Sequence, residues 1–263
     1  MQLKSDLGKF TTFRVISALM LREMITSYGR NPGGYIWAVL EPVGGIVLLT
    51  IVFSFFVHLP PLGTSFSLFY FTGLMPFMLY MDVSGKVATS IRFSQPLLNY
   101  PRVTYFDAAL ARLLLNVMTQ LLVFCILLCA IVWIEDIDLT LDLPLAGLSF
   151  LMASALAFGV GMLNAFLFSI FPIWERIWAI GNRPIFLVSG IFYLIDGLPS
   201  TAQSILWWNP LIHVLSIMRA AFYPSYNPAF VSPGFVFGLS LILCVAGVFF
   251  LRRYHRKILN ELF

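Results

Sequence analysis

Six apolar blocks run along the chain, at 36–57, 66–85, 108–134, 144–171, 177–195 and 234–251, and charged residues collect almost entirely outside them. Each block has about the length that crosses ~30 Å of hydrocarbon as a helix, for which roughly 20 residues suffice. A helix is the expected form because backbone polar groups in lipid must find partners inside their own segment. The pattern predicts an all-α integral membrane protein with six transmembrane helices, forming one transmembrane domain over 1–263.

The polar segments sharpen this. Before the first block, residues 10–27 place Phe13, Ile16, Met20 and Met24 on one helical face and Thr11, Arg14, Ala18 and Arg22 on the other. Such an amphipathic helix lies in the membrane interface. Asn31-Pro32-Gly33-Gly34 separates it from the first span. In the fourth block Ala153, Ala157, Gly161 and Ala165 form a small-residue stripe at i+4 spacing. Small side chains let helices approach closely in lipid, so the stripe predicts a helix–helix contact, within or between subunits. Between the fifth and sixth blocks, two short helical stretches break at Asn209-Pro210, and the connection is too apolar for a solvated loop. A re-entrant hairpin over 199–223 is expected there, with Trp207 and Trp208 at the membrane boundary.

Composition agrees: 60% of residues are hydrophobic and 11% charged, well outside the range of ordinary soluble domains. The net charge of +4 is a matter of topology and not of nucleic-acid binding. All Lys and Arg residues except Arg219 fall in or beside the N-terminal segment, the second and fourth connections and the C-terminal tail, while the third connection carries Glu135, Asp136, Asp138 and Asp142. Lys and Arg near span ends stay in the cytoplasm, which places both termini inside. Arg219, the exception, is expected to pair locally or to meet substrate or a partner. Cys125, Cys129 and Cys244 sit in apolar blocks and His58, His213 and His255 are scattered, so no metal site is expected. Asp82 and Lys86 stand at i, i+4 and are positioned to pair, and Asn116 and Gln120 share a face. No ion relay is expected from so few groups at mid-depth.

Four segments, in order, carry a resemblance. Gly34-Tyr35-Ile36-Trp37-Ala38-Val39-Leu40-Glu41-Pro42 resembles the start of the first span in type-2 ABC exporter permeases for lipid-linked polysaccharides. Pro96-Leu97-Leu98-Asn99-Tyr100-Pro101-Arg102-Val103-Thr104 resembles their coupling segment, in the manner of the group 2 capsule branch. Ser189–Pro199 and Asn209-Pro210-Leu211-Ile212-His213 complete the series.

The resemblance implies a homodimer bound to two copies of a cytoplasmic ABC ATPase, working with periplasmic and outer-membrane capsule export components. It implies export of a lipid-linked acidic polysaccharide across the bacterial inner membrane. No Gly-x-x-x-x-Gly-Lys-Ser/Thr loop occurs, so this chain is expected to bind no cofactor, with ATP and Mg at the partner. The coupling segment, 92–104, is expected to meet the ATPase through Ser94, Gln95, Pro96, Leu97, Leu98, Tyr100 and Arg102, beside Phe13 and Met20. Tyr35, Trp37, Trp174, Arg176, Trp178 and Arg183 are the expected passage residues, aromatic faces for sugars and guanidinium groups for acids. Trp207, Trp208, His213 and Arg219 are the expected periplasmic gate. O-antigen or teichoic-acid export on the same fold, a multispan lipid-modifying enzyme and a passive channel are the alternatives.

Overall fold

The structure, a computed structural model, describes residues 11–28, 34–56, 59–98 and 104–254. Their regular structure is helical, with no strand among them. Helix α1 (Thr11–Glu23) continues into a π-helical turn at Met24–Tyr28, and α2 spans Gly34–Phe56. Helices α3 (Phe66–Ala88), α4 (Ser90–Leu98), α5 (Tyr105–Glu135) and α6 (Leu143–Ile170) follow. Then come α7 (Pro172–Val188), α8 (Ser200–Leu206), α9 (Pro210–Phe222) and α10 (Pro233–Arg253).

Five helices, α2, α3, α5, α6 and α10, are long and apolar enough to cross a membrane, and the α8–α9 pair, bent by 105°, makes a sixth if taken as one span. Their ends are set by local chemistry. Thr104 and Asp107 form a reciprocal capping box that starts α5. Ser65, Asp142 and Ser232 cap α3, α6 and α10 through side-chain oxygens. The fifth apolar block behaves differently from a simple span. Pro172 opens its helix ahead of the block, and the helix ends at Val188, before Gly190 at φ 84°. Only a residue without a Cβ holds that backbone readily, so the chain turns into the hairpin at that point.

Helices α3 and α6 form the centre. The stripe on α6 is buried, with Ala153, Ala157 and Ala165 fully enclosed. It packs within the chain: a Cβ at Gly161 would lie 2.7 Å from Val87 of α3. Off the stripe, Gly159 and Gly247 bring α6 and α10 together. A Cβ at Gly159 would lie 2.4 Å from the Ser240 carbonyl, and one at Gly247 2.6 Å from the Met162 backbone. Glycine at both contacts gives the close backbone approach on which helix association in lipid depends.

Contacts define two opposite ends. At the acidic end Ser65 donates to Glu135, the Asp142 amide donates to the Ala221 carbonyl at 2.9 Å, and Tyr223 lies against Gly63. At the basic end lie α1, α4, the corner between α6 and α7, and Arg252 and Arg253 at the end of α10.

Candidate functional site

At the basic end, α1 lies along α5 with Ile16 and Leu19 buried against Ala111. The packed face is rotated from the one read in the sequence. Glu23 is buried on it, whereas Met20 is half-buried and Met24 exposed. A carboxylate on an apolar face needs a partner, and Arg112 of α5 supplies it at 3.0 Å, with both side chains almost wholly enclosed. Arg112 also donates to the Lys86 carbonyl at 2.6 Å and the Thr89 hydroxyl at 2.8 Å, which closes the end of α3.

The coupling segment begins as α4, a helix of nine residues that starts one residue beyond α3. Its apolar side faces inward: Ile91 and Ser94 are buried, Gln95 is half-buried, and Pro96, Leu97 and Leu98 form its last turn. Phe13 belongs to α1, while Tyr100 and Arg102 lie outside the described residues.

Helices α2 and α7 are sparsely covered, as are α8 and much of α5 and α10. Trp37 near the start of α2 is 66% exposed, and its neighbours Ile36, Leu40, Val47, Leu48 and Ile51 are exposed as well. On α7 only Asn182 is buried, and Arg176 and Arg183 are exposed. Tyr35 lies in the first turn of α2. Trp174 and Trp178 are half-buried, and Trp174 donates its indole N–H to Asn164 of α6 at 3.0 Å. That bond anchors α7 and accounts for a polar residue inside the fourth span. Of the other intramembrane groups, Asp82 accepts from Gln120 across α3 and α5, and Asn116 donates to the Arg112 carbonyl at 2.8 Å.

The hairpin fills the acidic half. Helix α9 packs on α3 and α6 and is buried on nearly every side, and Ser149 of α6 donates to the Val214 carbonyl at 2.8 Å. His213 is fully buried. One ring nitrogen accepts from the Ser232 amide at 3.3 Å and the other meets the Trp207 carbonyl at 2.8 Å. Its acceptor role at Nδ1 implies that the proton sits on Nε2. Trp207 donates to the Phe230 carbonyl at 3.0 Å and packs on Phe235, while Trp208 is 69% exposed.

Arg219 is 2% exposed. Its guanidinium donates to the Tyr193 carbonyl at 2.9 Å and the Ile191 carbonyl at 2.8 Å, and lies 4.3 Å from the centre of the Phe69 ring. Gly73 of α3 makes room for it, since a Cβ there would stand 3.3 Å from Nη2. Of the two expectations for this residue, local pairing describes the structure. Burial removes both His213 and Arg219 from contact with a passing polymer here, and both fasten the hairpin to the core.

Sequence reasoning missed Glu23 and the central place of Arg112, which it counted only as a topogenic charge. The one available signal was a lone carboxylate in an otherwise basic and apolar helix.

Several helices able to span a membrane, a short helix at the basic end and a bent helical pair at the other define a multispan membrane protein. The ABC-2 type transporter family profile matches residues 14–223, and the chain belongs to that family, as a permease. It is 31% identical over 248 residues to the polysialic acid transport protein KpsM of Escherichia coli, covering 94% of this chain and 95% of that one. It is 26% identical over 246 residues to the capsule polysaccharide export inner-membrane protein BexB of Haemophilus influenzae, covering 93% of this chain and 92% of BexB. It is 25% identical over 245 residues to the corresponding protein CtrC of Neisseria meningitidis, with the same coverage.

Proposed function

We propose that this chain is the membrane-spanning subunit of an ATP-driven exporter that moves lipid-linked capsular polysaccharide from cytoplasm to periplasm across the inner membrane. The observation that carries the reading is near full-length similarity to a polysialic acid transporter and to two capsule export inner-membrane proteins. The same relatives favour capsule over O-antigen or teichoic acid as cargo.

The geometry supplies the parts such a subunit needs. The basic end is cytoplasmic, with both termini inside, as the distribution of Lys and Arg favours. There α4 presents its last turn, Pro96–Leu98, to an ABC ATPase that binds ATP and Mg, with α1 alongside. Two copies of the permease meet through the sparsely covered α2 and α7, and the polymer passes between them. Trp37, Trp174 and Trp178 offer aromatic faces to sugar rings, and Arg176 and Arg183 offer guanidinium groups to sugar carboxylates or to a phosphate in the lipid anchor. The hairpin closes the periplasmic end, where periplasmic and outer-membrane components receive the chain.

The test is removal of this permease from its native cell, with mass spectrometry of the retained polymer. Intracellular capsular polysaccharide carrying a lipid at its reducing end, restored to the surface by the wild-type permease and not by Trp37→Ala at equal abundance, is the expected result. Normal surface capsule without the permease, or retained polymer lacking any lipid, contradicts the cargo as stated.

A further inference from the structure

Helix α4 presents two consecutive side chains that grip different partners. Phe93 lies under two guanidinium groups, 4.1 Å from Arg112 and 5.4 Å from Arg22. Both belong to the α1–α5 side, which the buried Glu23–Arg112 pair holds together. Arg92 turns instead to the corner between α6 and α7. Its Nη2 donates to the Phe168 carbonyl at 2.7 Å, and its Nη1 meets the Glu175 carboxylate at 2.5 Å.

The sequence explains both acceptors. In an α-helix the Phe168 carbonyl would accept from the residue four positions on, which here is Pro172, and proline has no N–H to give. The proline that turns the chain into α7 therefore leaves a carbonyl open beside α4. Glu175 stands in the first turn of α7, where the helix dipole favours a carboxylate. One guanidinium fork thus holds the end of α6 and the start of α7 at once.

Helix α7 has few other restraints. Its residues are exposed except Asn182, apart from the half-buried Trp174, Glu175, Trp178, Ile185 and Phe186. Beyond Arg92, its contacts include the Trp174–Asn164 bond, a bond from the Asn209 side chain to the Val188 carbonyl at 3.1 Å at its far end, and the packing of Ile185 and Phe186 on the core.

We infer that the Arg92–Glu175 pair is the link that carries movement of α4 to α7, with both residues acting as positioning residues for transport. The Phe93 side, seated on α1 and α5, is the pivot. The Arg92 side is the arm, and the corner at Pro172 moves with it, displacing the sparsely packed α7. The inference rests on α4 being the ATPase contact proposed above. The pair's side chains are 39% and 43% exposed, and pairs so open to solvent add little to stability. Reversing its charges therefore costs the fold little beyond the Phe168 bond that Arg92→Glu also gives up, and membrane abundance, read alongside, separates an export defect from unfolding.

The test compares Arg92→Glu, Glu175→Arg and the double exchange in the full exporter, co-expressed with its ATPase. Membrane abundance, ATPase co-purification, ATP hydrolysis and surface polysaccharide are read together. Each single variant is expected to keep its abundance and its ATPase while surface polymer per ATP falls about tenfold, and the double exchange to recover most of that loss, as a coupled pair requires. Normal export by the single variants, or a double variant as poor as either single one, overturns the inference. Loss of the ATPase from Arg92→Glu membranes also overturns it, because Arg92 then belongs to the docking surface. The docking reading is checked separately, by ATPase recovery with Leu97→Asp/Leu98→Asp, so its failure is not mistaken for failure of the pair.

Discussion

Replacing Gly159 by alanine adds one methyl group at the tightest contact between α6 and α10. The new Cβ would stand 2.4 Å from the Ser240 carbonyl oxygen and 3.1 Å from its carbonyl carbon. These are backbone atoms, so no side-chain rotation relieves the clash. The two helices must part by about 1 Å before the contact reaches the 3.4 Å at which ordinary van der Waals distances begin. A gap of 0.5–1 Å forfeits roughly a quarter to a half of the attraction between facing atoms. Overpacking of this kind costs about 1–3 kcal/mol, and in lipid no hydrophobic term between helices compensates. Gly147 is the internal control, being in the same helix with nothing within 4 Å of its Cβ position. There alanine gains helix propensity, up to about 1 kcal/mol. That gain applies at Gly159 too and cancels between the two substitutions, which are chemically identical and in one helix, so they should differ by about 1–3 kcal/mol, with Gly159→Ala the less stable. Thermal unfolding of the detergent-purified subunit is the assay, and a separation of roughly 2–12 °C is expected. If Gly159→Ala melts at or above Gly147→Ala, the α6–α10 contact is not the close approach described.

Two further substitutions probe the buried polar groups. Arg219→Ala removes two charged hydrogen bonds and leaves the Tyr193 and Ile191 carbonyls without them, loosening the hairpin by about 3 kcal/mol. In a cysteine-free background a cysteine at Val214, a fully buried position, should be protected from maleimide beside Arg219 and labelled in Arg219→Ala; equal protection in both would contradict the role given to Arg219. Arg112→Ala strands the buried Glu23 carboxylate at a cost of about 3–5 kcal/mol. It should release α1 from α5, seen as new protease cleavage within 11–28, and unchanged protection would show that the pair does not hold α1.

Much of the fold was legible from the chain. The apolar blocks mark α2, α3, α5, α6 and α10 because lipid imposes both a length and an absence of charge. The stripe from Ala153 to Ala165 announced a helix contact because only close packing calls for small residues at that period. What the stripe could not tell was its partner, which is α3 of the same chain. The fifth block was harder to read. Helix α7 takes in Pro172 and the charges of Glu175 and Arg176, then ends early at Val188, just before Gly190, so its bounds follow backbone chemistry and not hydropathy.

Legibility was lowest where function is assigned. His213 and Arg219 are polar residues in a segment read as a re-entrant hairpin and expected to serve as a periplasmic gate, yet contacts from Phe69, Gly73 and Ser232, distant in sequence, enclose them. Glu23 and Arg112 find each other only after α1 folds back along α5. Periodicity in one helix reports which face is apolar, and it carries no information about a charge that a second helix will neutralise.

The central claim is that this permease works through an ATPase docked at α4. The most direct measurement is affinity purification of the tagged subunit from gently solubilised native membranes, with co-purifying subunits and ATP hydrolysis read together. The account predicts recovery of an ABC ATPase in equal amount to the permease, with recovery and hydrolysis both lost in Leu97→Asp/Leu98→Asp. A lone, hydrolytically silent permease, or an ATPase retained by that double variant, would contradict it.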